Sequence, residues 1–302
     1  MFERIMVPTD GSVESEQAMP IARQIASAQD AEVLLVQVIQ YPVVYDHDTT
    51  ISGNVYQEML DAAEDDARAN LGRLKAQFEG NRIRATTMFL RGSPAACLLD
   101  TEREQKADLV VMATHGRTGV ARFALGSVAD RMVREGTSPV LVARSSSLEP
   151  TLKTALLMLD GSGVAEEAVP MLEILAHRPI ENVKLFRVVD DLSDRTAAAT
   201  YLGAVGARLE AAGLKAEIVV DIGDPTFLVR RAAQGADLVV LSTHGRGGID
   251  RFRHGSVADR VIREAEKSVL LVRAGMPSRS APETSVGAAT AGRRSLEVRL
   301  AQ

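Results

Sequence analysis

Residues 107–135 (ADLVVMATHGRTGVARFALGSVADRMVRE) return without a gap at residues 236–264 (ADLVVLSTHGRGGIDRFRHGSVADRVIRE). The offset, 236 − 107, is 129, and it is the same at the far end of the block. Roughly two-thirds of the positions are identical, far more than shared helix patterning produces. A chain built this way holds one domain twice, so any fold assigned to one half has to serve both. Its 302 residues leave room for two domains of ordinary size. The recurring block is an apolar strand, a His-Gly-Arg turn, a loop, and a Gly-Ser pair opening a helix. That order is the geometry of a phosphate cradle.

The remaining elements fit around this block. Arg4–Pro8 reads as a short strand, and Asp10-Gly11-Ser12 as a turn capping a helix from near Val13. Val33–Ile39 is a second strand, apolar almost throughout, as suits a parallel strand buried on both faces. A polar loop, Tyr41–Tyr56, leads to a charged amphipathic helix over Glu58–Phe78. Arg84–Leu90, Asp108–Ala113 and Pro139–Ala143 are three more strands, with helices after Gly92-Ser93-Pro94 and after Ser127. The second copy repeats the plan with strands at Ala155–Leu159, Val183–Val189, Ala216–Val220, Leu238–Ser242 and Ser268–Val272. Alternating strands and helices predict an α/β fold. Each domain is expected to be a five-stranded, mainly parallel sheet with helices on both faces. The domains are drawn at 1–146 and 151–274, joined through Ser145–Pro150. A tail, 275–302, rich in Pro, Ser, Ala, Thr and Gly, reads as disordered until Leu296–Leu300.

Composition removes several classes. The net charge of −5, four Tyr and no Trp give no grip for nucleic acid. Cys97 is the only cysteine, which excludes an intrachain disulfide and a Cys-based zinc site; beside Ala96 and Leu98 it reads as a small core residue. The first residues carry charge and enter a strand, unlike a signal peptide, and no apolar run approaches a membrane span, so a cytoplasmic location is expected.

The cradle itself runs Met112-Ala113-Thr114-His115-Gly116, nine residues, then Gly126-Ser127. Turns at the carboxyl edge of a parallel sheet are where open α/β folds bind ligands. Ser127 reads as a helix N-cap with Asp130 three residues on, a capping-box-like pair. The first amides of that helix are free donors at the positive end of a dipole. Arg117 and Arg122 would add charge, as would Arg246, Arg251 and Arg253 in the second copy beside Gly245, Gly255, Ser256 and Asp259. A plain alternative stays open: Ser-x-x-Asp after Gly also starts helices that bind nothing. His115 and His244 read as turn-stabilising imidazoles, Asp46-His47-Asp48 as a solvated loop, and Asp61, Glu64, Asp65 and Asp66 as a charged helix face. No Gly-x-Ser-x-Gly or Gly-Lys-Ser/Thr element is present.

On these residues the chain resembles a tandem universal stress protein, a Rossmann-like fold of the adenine nucleotide alpha hydrolase type. The ATP-binding subset of that family shows Gly, two residues, Gly, nine residues, Gly, then Ser or Thr. Both copies match from the second glycine onward; Ala113 and Ser242 replace the first. Val7-Pro8-Thr9-Asp10-Gly11-Ser12 resembles the family's first strand and turn, whereas the second copy has Met158-Leu159-Asp160-Gly161-Ser162. The resemblance implies roles. Asp10 would hold the ribose, with Pro8 and Thr9 lining the nucleotide. Val38 would meet the adenine edge through its backbone. Met112, Ala113, Gly116 and Arg117 would line the pocket, and Gly126, Ser127 and Val128 would bind phosphates. The matching positions are Asp160, Val188, Leu241, Gly245, Arg246, Gly255, Ser256 and Val257.

The function implied is a stress-response or signalling protein that binds ATP, or AMP or ADP, with Mg²⁺, and acts by changing conformation or protein partners. Hydrolysis would be slow or absent, because no residue is an evident candidate for positioning water or stabilising the γ-phosphate. The alternative is an interaction module that has lost nucleotide binding in one or both domains. The resemblance also implies that the terminal strands, Pro139–Ala143 and Ser268–Val272, pair between the domains into an internal pseudo-dimer, and open strand edges tend to recruit partners. Association of two chains is a further expectation.

Overall fold

Five consecutive residues of the first strand, Ile5 through Thr9, are buried. A strand can bury both faces only if helices cover both sides of its sheet. The computed structural model describes residues 1–40, 53–113, 125–144, 150–176, 178–243, 267–275 and 298–299. Its first half runs β1 (Arg4–Thr9), α1 (Ala18–Gln29), β2 (Glu32–Ile39), α2 (Gly53–Gly80), β3 (Ala85–Arg91), α3 (Pro94–Glu104), β4 (Leu109–Ala113), α4 (Ser127–Glu135) and β5 (Val140–Ala143). The second half runs β6 (Thr154–Met158), α5 (Gly163–Glu166), α6 (Val169–Leu175), β7 (Asn182–Val189), α7 (Arg195–Ala211), β8 (Lys215–Ile222), α8 (Pro225–Ala233), β9 (Leu238–Thr243) and β10 (Ser268–Arg273).

The strands form one sheet in the order β11-β8-β7-β6-β9-β10-β5-β4-β1-β2-β3, with β11 being Val298–Arg299. All neighbours are parallel except β5 and β10, which meet antiparallel at Val140–Leu271, Leu141–Leu270 and Val142–Val269. The first half is thus the expected five-stranded parallel sheet, the second is the same five strands with β11 added at its outer edge, and β5 and β10 join them. Two apolar layers, one on each face, run across the seam: Ile5, Leu35 and Leu74 share one with Leu157 and Leu270, and Met6, Val36 and Met132 share the other with Phe186 and Leu271.

The repeated Asp of each block has a structural task. Asp108 Oδ2 accepts the amides of Glu3 and Arg4 at 2.5 and 2.8 Å, tying the start of β4 to the start of β1. Its counterpart Asp237 Oδ2 accepts those of Lys153 and Thr154, both at 2.9 Å. Part of the sequence identity between the copies is therefore scaffold.

Four details depart from the sequence reading. No helix begins at Val13; a 3₁₀ turn at Ser15–Gln17 precedes α1, which starts at Ala18. Pro20 lies in that first turn, where its missing N–H costs no helical bond. Helix α2 begins at Gly53, inside the span read as loop. Cys97 is only half-buried, while Ala95, Leu98 and Leu99 of the same helix fill the core. In the tail, Val298–Arg299, within the Leu296–Leu300 run, lies parallel to β8 opposite Ile218 and Val219, an edge strand that the sequence reading did not place. The linker residues 145–149 and tail residues 276–297 lie outside the described residues. No described helix is long and apolar enough to cross a membrane.

Candidate functional site

The strand order 5-4-1-2-3 in the first half reverses direction between β1 and β4. At such a switch point the connections leave for opposite faces, and a crevice opens at the carboxyl edge. A cleft of about 800 Å³ occupies this place. Pro8, Thr9 and Asp10 reach it from the end of β1, Val38 from β2, Met112 and Ala113 from β4, and Gly126, Ser127 and Val128 from the start of α4. The sequence reading named all nine, and they converge on one cavity although they come from four separate segments.

The turn after β1 is fixed by a relay of hydroxyls. Gly11, at φ 79°, turns the chain so that its amide donates to Thr9 Oγ1 at 3.1 Å. Thr9 Oγ1 lies 2.9 Å from Ser15 Oγ, which donates to the Ser12 carbonyl at 2.8 Å. Asp10 Oδ1 accepts the Ser12 amide at 3.0 Å and the Ser12 hydroxyl at 2.5 Å. The carboxylate is thereby held at the mouth of the cleft by donors from its own turn.

The cradle differs from expectation in one respect. Gly126, extended at φ −61° and ψ 153°, is the N-cap of α4; Ser127 is the first helical residue, and no side chain caps the helix. Asp130 turns instead to Arg134, with Nη2 donating to Oδ1 at 2.8 Å. The predicted Ser127–Asp130 box is absent because Asp130 finds a cation one helical turn on, at (i, i+4). The consequence favours a ligand: among the described residues, the amides of Ser127 and Val128 donate to no protein acceptor. They line the cleft at the positive end of a nine-residue helix.

The sequence reading missed part of the lining. Gln37 and Asn70 face the same cavity, and Asn70 Nδ2 donates to Gln37 Oε1 at 2.9 Å. The available signal was Gln37 itself, a polar residue inside the apolar run VLLVQVI. Asp66, assigned to a charged helix face, also lines the cleft, whereas Glu64 on that face pairs with Arg91.

The second copy places Asp160 after β6, Val188 near the end of β7, and Leu241 near the end of β9. Asp160 Oδ1 accepts the Ser162 amide at 2.8 Å. Burial would raise this carboxyl, but hydrogen bonds from Ser162 and the charge of Arg187 outweigh it and hold Asp160 below its ordinary range. Leu159 and Ala165 stand where the first copy has Thr9 and Ser15, so an apolar contact replaces the buried hydroxyl pair. Gly116, Arg117, Arg122, His115 and Asp46-His47-Asp48 lie outside the described residues, as do His244, Gly245, Arg246, Arg251, Arg253, Gly255, Ser256, Val257 and Asp259.

Comparison with known proteins agrees with this geometry. The model of the Universal stress protein family matches twice, over residues 1–144 and 151–273. A universal stress protein of Mycolicibacterium smegmatis is 26% identical over 291 residues, covering 89% of this chain and 96% of its own. The crystal structure of a universal stress protein from Archaeoglobus fulgidus superposes with a TM-score of 0.73 at 19% identity, covering 90% of this chain and 98% of that one. A universal stress protein solved in complex with cAMP aligns with 48% of this chain and 99% of its own, at 25% identity and a TM-score of 0.38. With the doubled strand order, the doubled block and a family match over both halves, the chain belongs to the universal stress protein family, two such domains in one polypeptide.

Proposed function

We propose that the first domain binds ATP in the cleft at the carboxyl edge of β1, β2 and β4, and that the protein acts in the cytoplasm as a nucleotide-dependent stress-response or signalling protein. One observation carries the reading: the Ser127 and Val128 amides, free of protein acceptors, open into the same cavity as the Asp10 carboxylate and the backbone of Val38. Phosphates bound at α4 would accept charge-assisted hydrogen bonds. Asp10 would take a ribose hydroxyl, and the Val38 backbone an adenine edge between Val36, Leu98 and Met112. The volume suits the ligand, since small-molecule sites span roughly 300–1,000 Å³. Mg²⁺ would arrive on the triphosphate; among the described residues no group of three His, Cys, Asp or Glu forms a cage of its own. Gly116 and Arg117, outside the described residues, would complete the lining as the family resemblance implies.

Binding rather than turnover is the function this site favours. Among the described lining residues, Asp10 accepts from its own turn, and Asp66 comes from α2 rather than from α4. A γ-phosphate needs an oriented water and added positive charge before hydrolysis becomes fast. Turnover is therefore expected below about 1 s⁻¹, the low end of ordinary enzymes. Isothermal titration calorimetry of the full chain tests the binding: ATP should bind with Mg²⁺ present, and Asp10→Ala should weaken it about tenfold, as loss of a charged hydrogen bond does. No heat with ATP, ADP or AMP at millimolar ligand would sink the proposal.

The replacements at Leu159 and Ser242 favour a second reading for the other half, in which that domain does not share the first domain's ligand. Its Asp160 and Val188 would then serve a different molecule or none, and the pairing of β5 with β10 would be its main contribution.

A further inference from the structure

Residues 37 and 187 are counterparts, each one position before the valine at the carboxyl end of its strand, and each beside the turn after its half's first strand. In the first half the side chain at this place is a neutral donor with its direction set from a distance. Arg73 can only donate, and its Nη2 reaches Asn70 Oδ1 at 2.7 Å. Asn70 must then present Nδ2 to Gln37 Oε1. With Oε1 taken, only the N–H groups of Gln37 remain for the cleft it lines, and this side chain is 4% exposed.

The second half holds a cation there. The Arg187 guanidinium lies 5.3 Å from the centroid of Tyr201, the counterpart of Asn70 on α7. It also packs on the turn, where a β-carbon added to Gly161 would sit 2.8 Å from Nη1. Gly161 has φ 90°, so the turn requires glycine for its backbone, and the guanidinium occupies the room it leaves. Among the described residues Arg187 forms no ion pair and no hydrogen bond, and its charge acts on Asp160 from a distance. Stacking positions a guanidinium but leaves its in-plane N–H fork uncommitted. A second unspent group stands at the same sheet edge: Ser242 Oγ, where the first half has Ala113, is shut from solvent and has no hydrogen-bond partner.

We propose that the turn after β6 in the second half holds the ribose of an adenine nucleotide that carries a phosphate monoester at the 2′ or 3′ position, with Arg187 reading that phosphate. The inference rests on the reading that the turn after each half's first strand holds a ribose. In nucleotide-binding α/β folds a carboxylate beside the ribose suits a free hydroxyl, and an arginine beside it accommodates a phosphate. The first half offers Asp10 with a neutral amide. The second offers Asp160 with a preorganised guanidinium fork that fits phosphate oxygens bidentately. The two halves thereby select different nucleotides with one scaffold.

Calorimetry of the full chain with adenosine 2′,5′-bisphosphate, adenosine 3′,5′-bisphosphate, AMP and inorganic phosphate tests this. One bisphosphate should bind about tenfold or more tightly than AMP, and Arg187→Gln should remove that preference. Arg187→Lys keeps the charge without the fork and should lower the preference too, which preserves the test if the Gln variant does not fold. A preference unchanged in both variants overturns the proposal. So does tighter bisphosphate binding in R187Q, which would make Arg187 a plug, and so does Arg187-dependent binding of inorganic phosphate as tight as that of the bisphosphate. ATP binding sensitive to Asp10→Ala reports on the first cleft separately. If it is absent while the Arg187-dependent preference persists, the ATP proposal falls and this one stands.

Discussion

The two halves share a strand order, a fastening aspartate and a turn, yet they differ in linked pairs at the cleft. Where the first has Thr9 and Ser15 sharing a hydrogen bond, the second has Leu159 and Ala165 in the core. Where the first has Gln37 bonded to Asn70, the second has Arg187 stacked on Tyr201. In each case both members change, as expected when one partner alone would leave a buried polar group unpaired. Duplicated scaffold and diverged cleft are therefore separable, and the most informative experiments push on one or the other.

The seam should show no difference between the halves. Leu141 and Leu270 face each other across β5 and β10, both fully buried. Leu141→Asp and Leu270→Asp each bury an unpaired carboxylate and should cost about 4–5 kcal/mol or abolish folding. Urea unfolding followed by circular dichroism would measure it. A large cost at one position and none at the other would mean that the halves do not share a core.

The cradle should separate ligand binding from folding. Ser127→Pro deletes one amide donor at the first helical position, where proline is tolerated. ATP affinity is expected to fall about 10- to 100-fold, the worth of a charged hydrogen bond, with helix content unchanged. Retained affinity would show that the α4 amides are not the phosphate site.

Transplanting one linked pair tests the coupling directly. Thr9→Leu alone strands the Gly11 amide and leaves the buried Ser15 hydroxyl with only the Ser12 carbonyl, for about 1–2 kcal/mol. Thr9→Leu with Ser15→Ala should cost less than the two single changes together. Thermal unfolding of all four proteins gives the coupling energy, and simple additivity would contradict it.

The smallest effect concerns Asp160, which hydrogen bonds and Arg187 keep below its ordinary 3.8. A carboxyl depressed in the folded state adds stability above its unfolded value and loses it as the pH falls through the folded one. The window thus lies below about pH 4. Ser162→Ala should raise the Asp160 pKa by more than Arg187→Gln, because the hydrogen bonds outrank the charge. Carboxyl NMR titration would show the order.

Much of this was legible in the residues. Parallel strands buried on both faces leave unbroken apolar runs, so β2 and β4 could be read within a residue of their ends. The family resemblance implied both the pairing of β5 with β10 and the nine residues that meet in the first cleft. The parts that were not legible depend on contacts distant in sequence or on competing partners. Gln37 and Asn70 are 33 residues apart, and only the fold shows that they touch. Asp10-Gly11-Ser12 reads as a helix cap, but Ser12 donates to Asp10 and accepts from Ser15 across a 3₁₀ turn, and the helix waits until Ala18. Ser127 looked like a cap because Ser-x-x-Asp fits a box, until Arg134 took the aspartate. The two-residue β11 is too short to leave a period in the sequence.

The antiparallel meeting of β5 and β10 also decides where the two carboxyl edges point. Strands on either side of that line run opposite ways, so the carboxyl edge of the first half lies at one rim of the sheet and that of the second half at the other. Molecules held at those two edges would be kept out of each other's reach. Any coupling between them would have to travel through the shared β-structure.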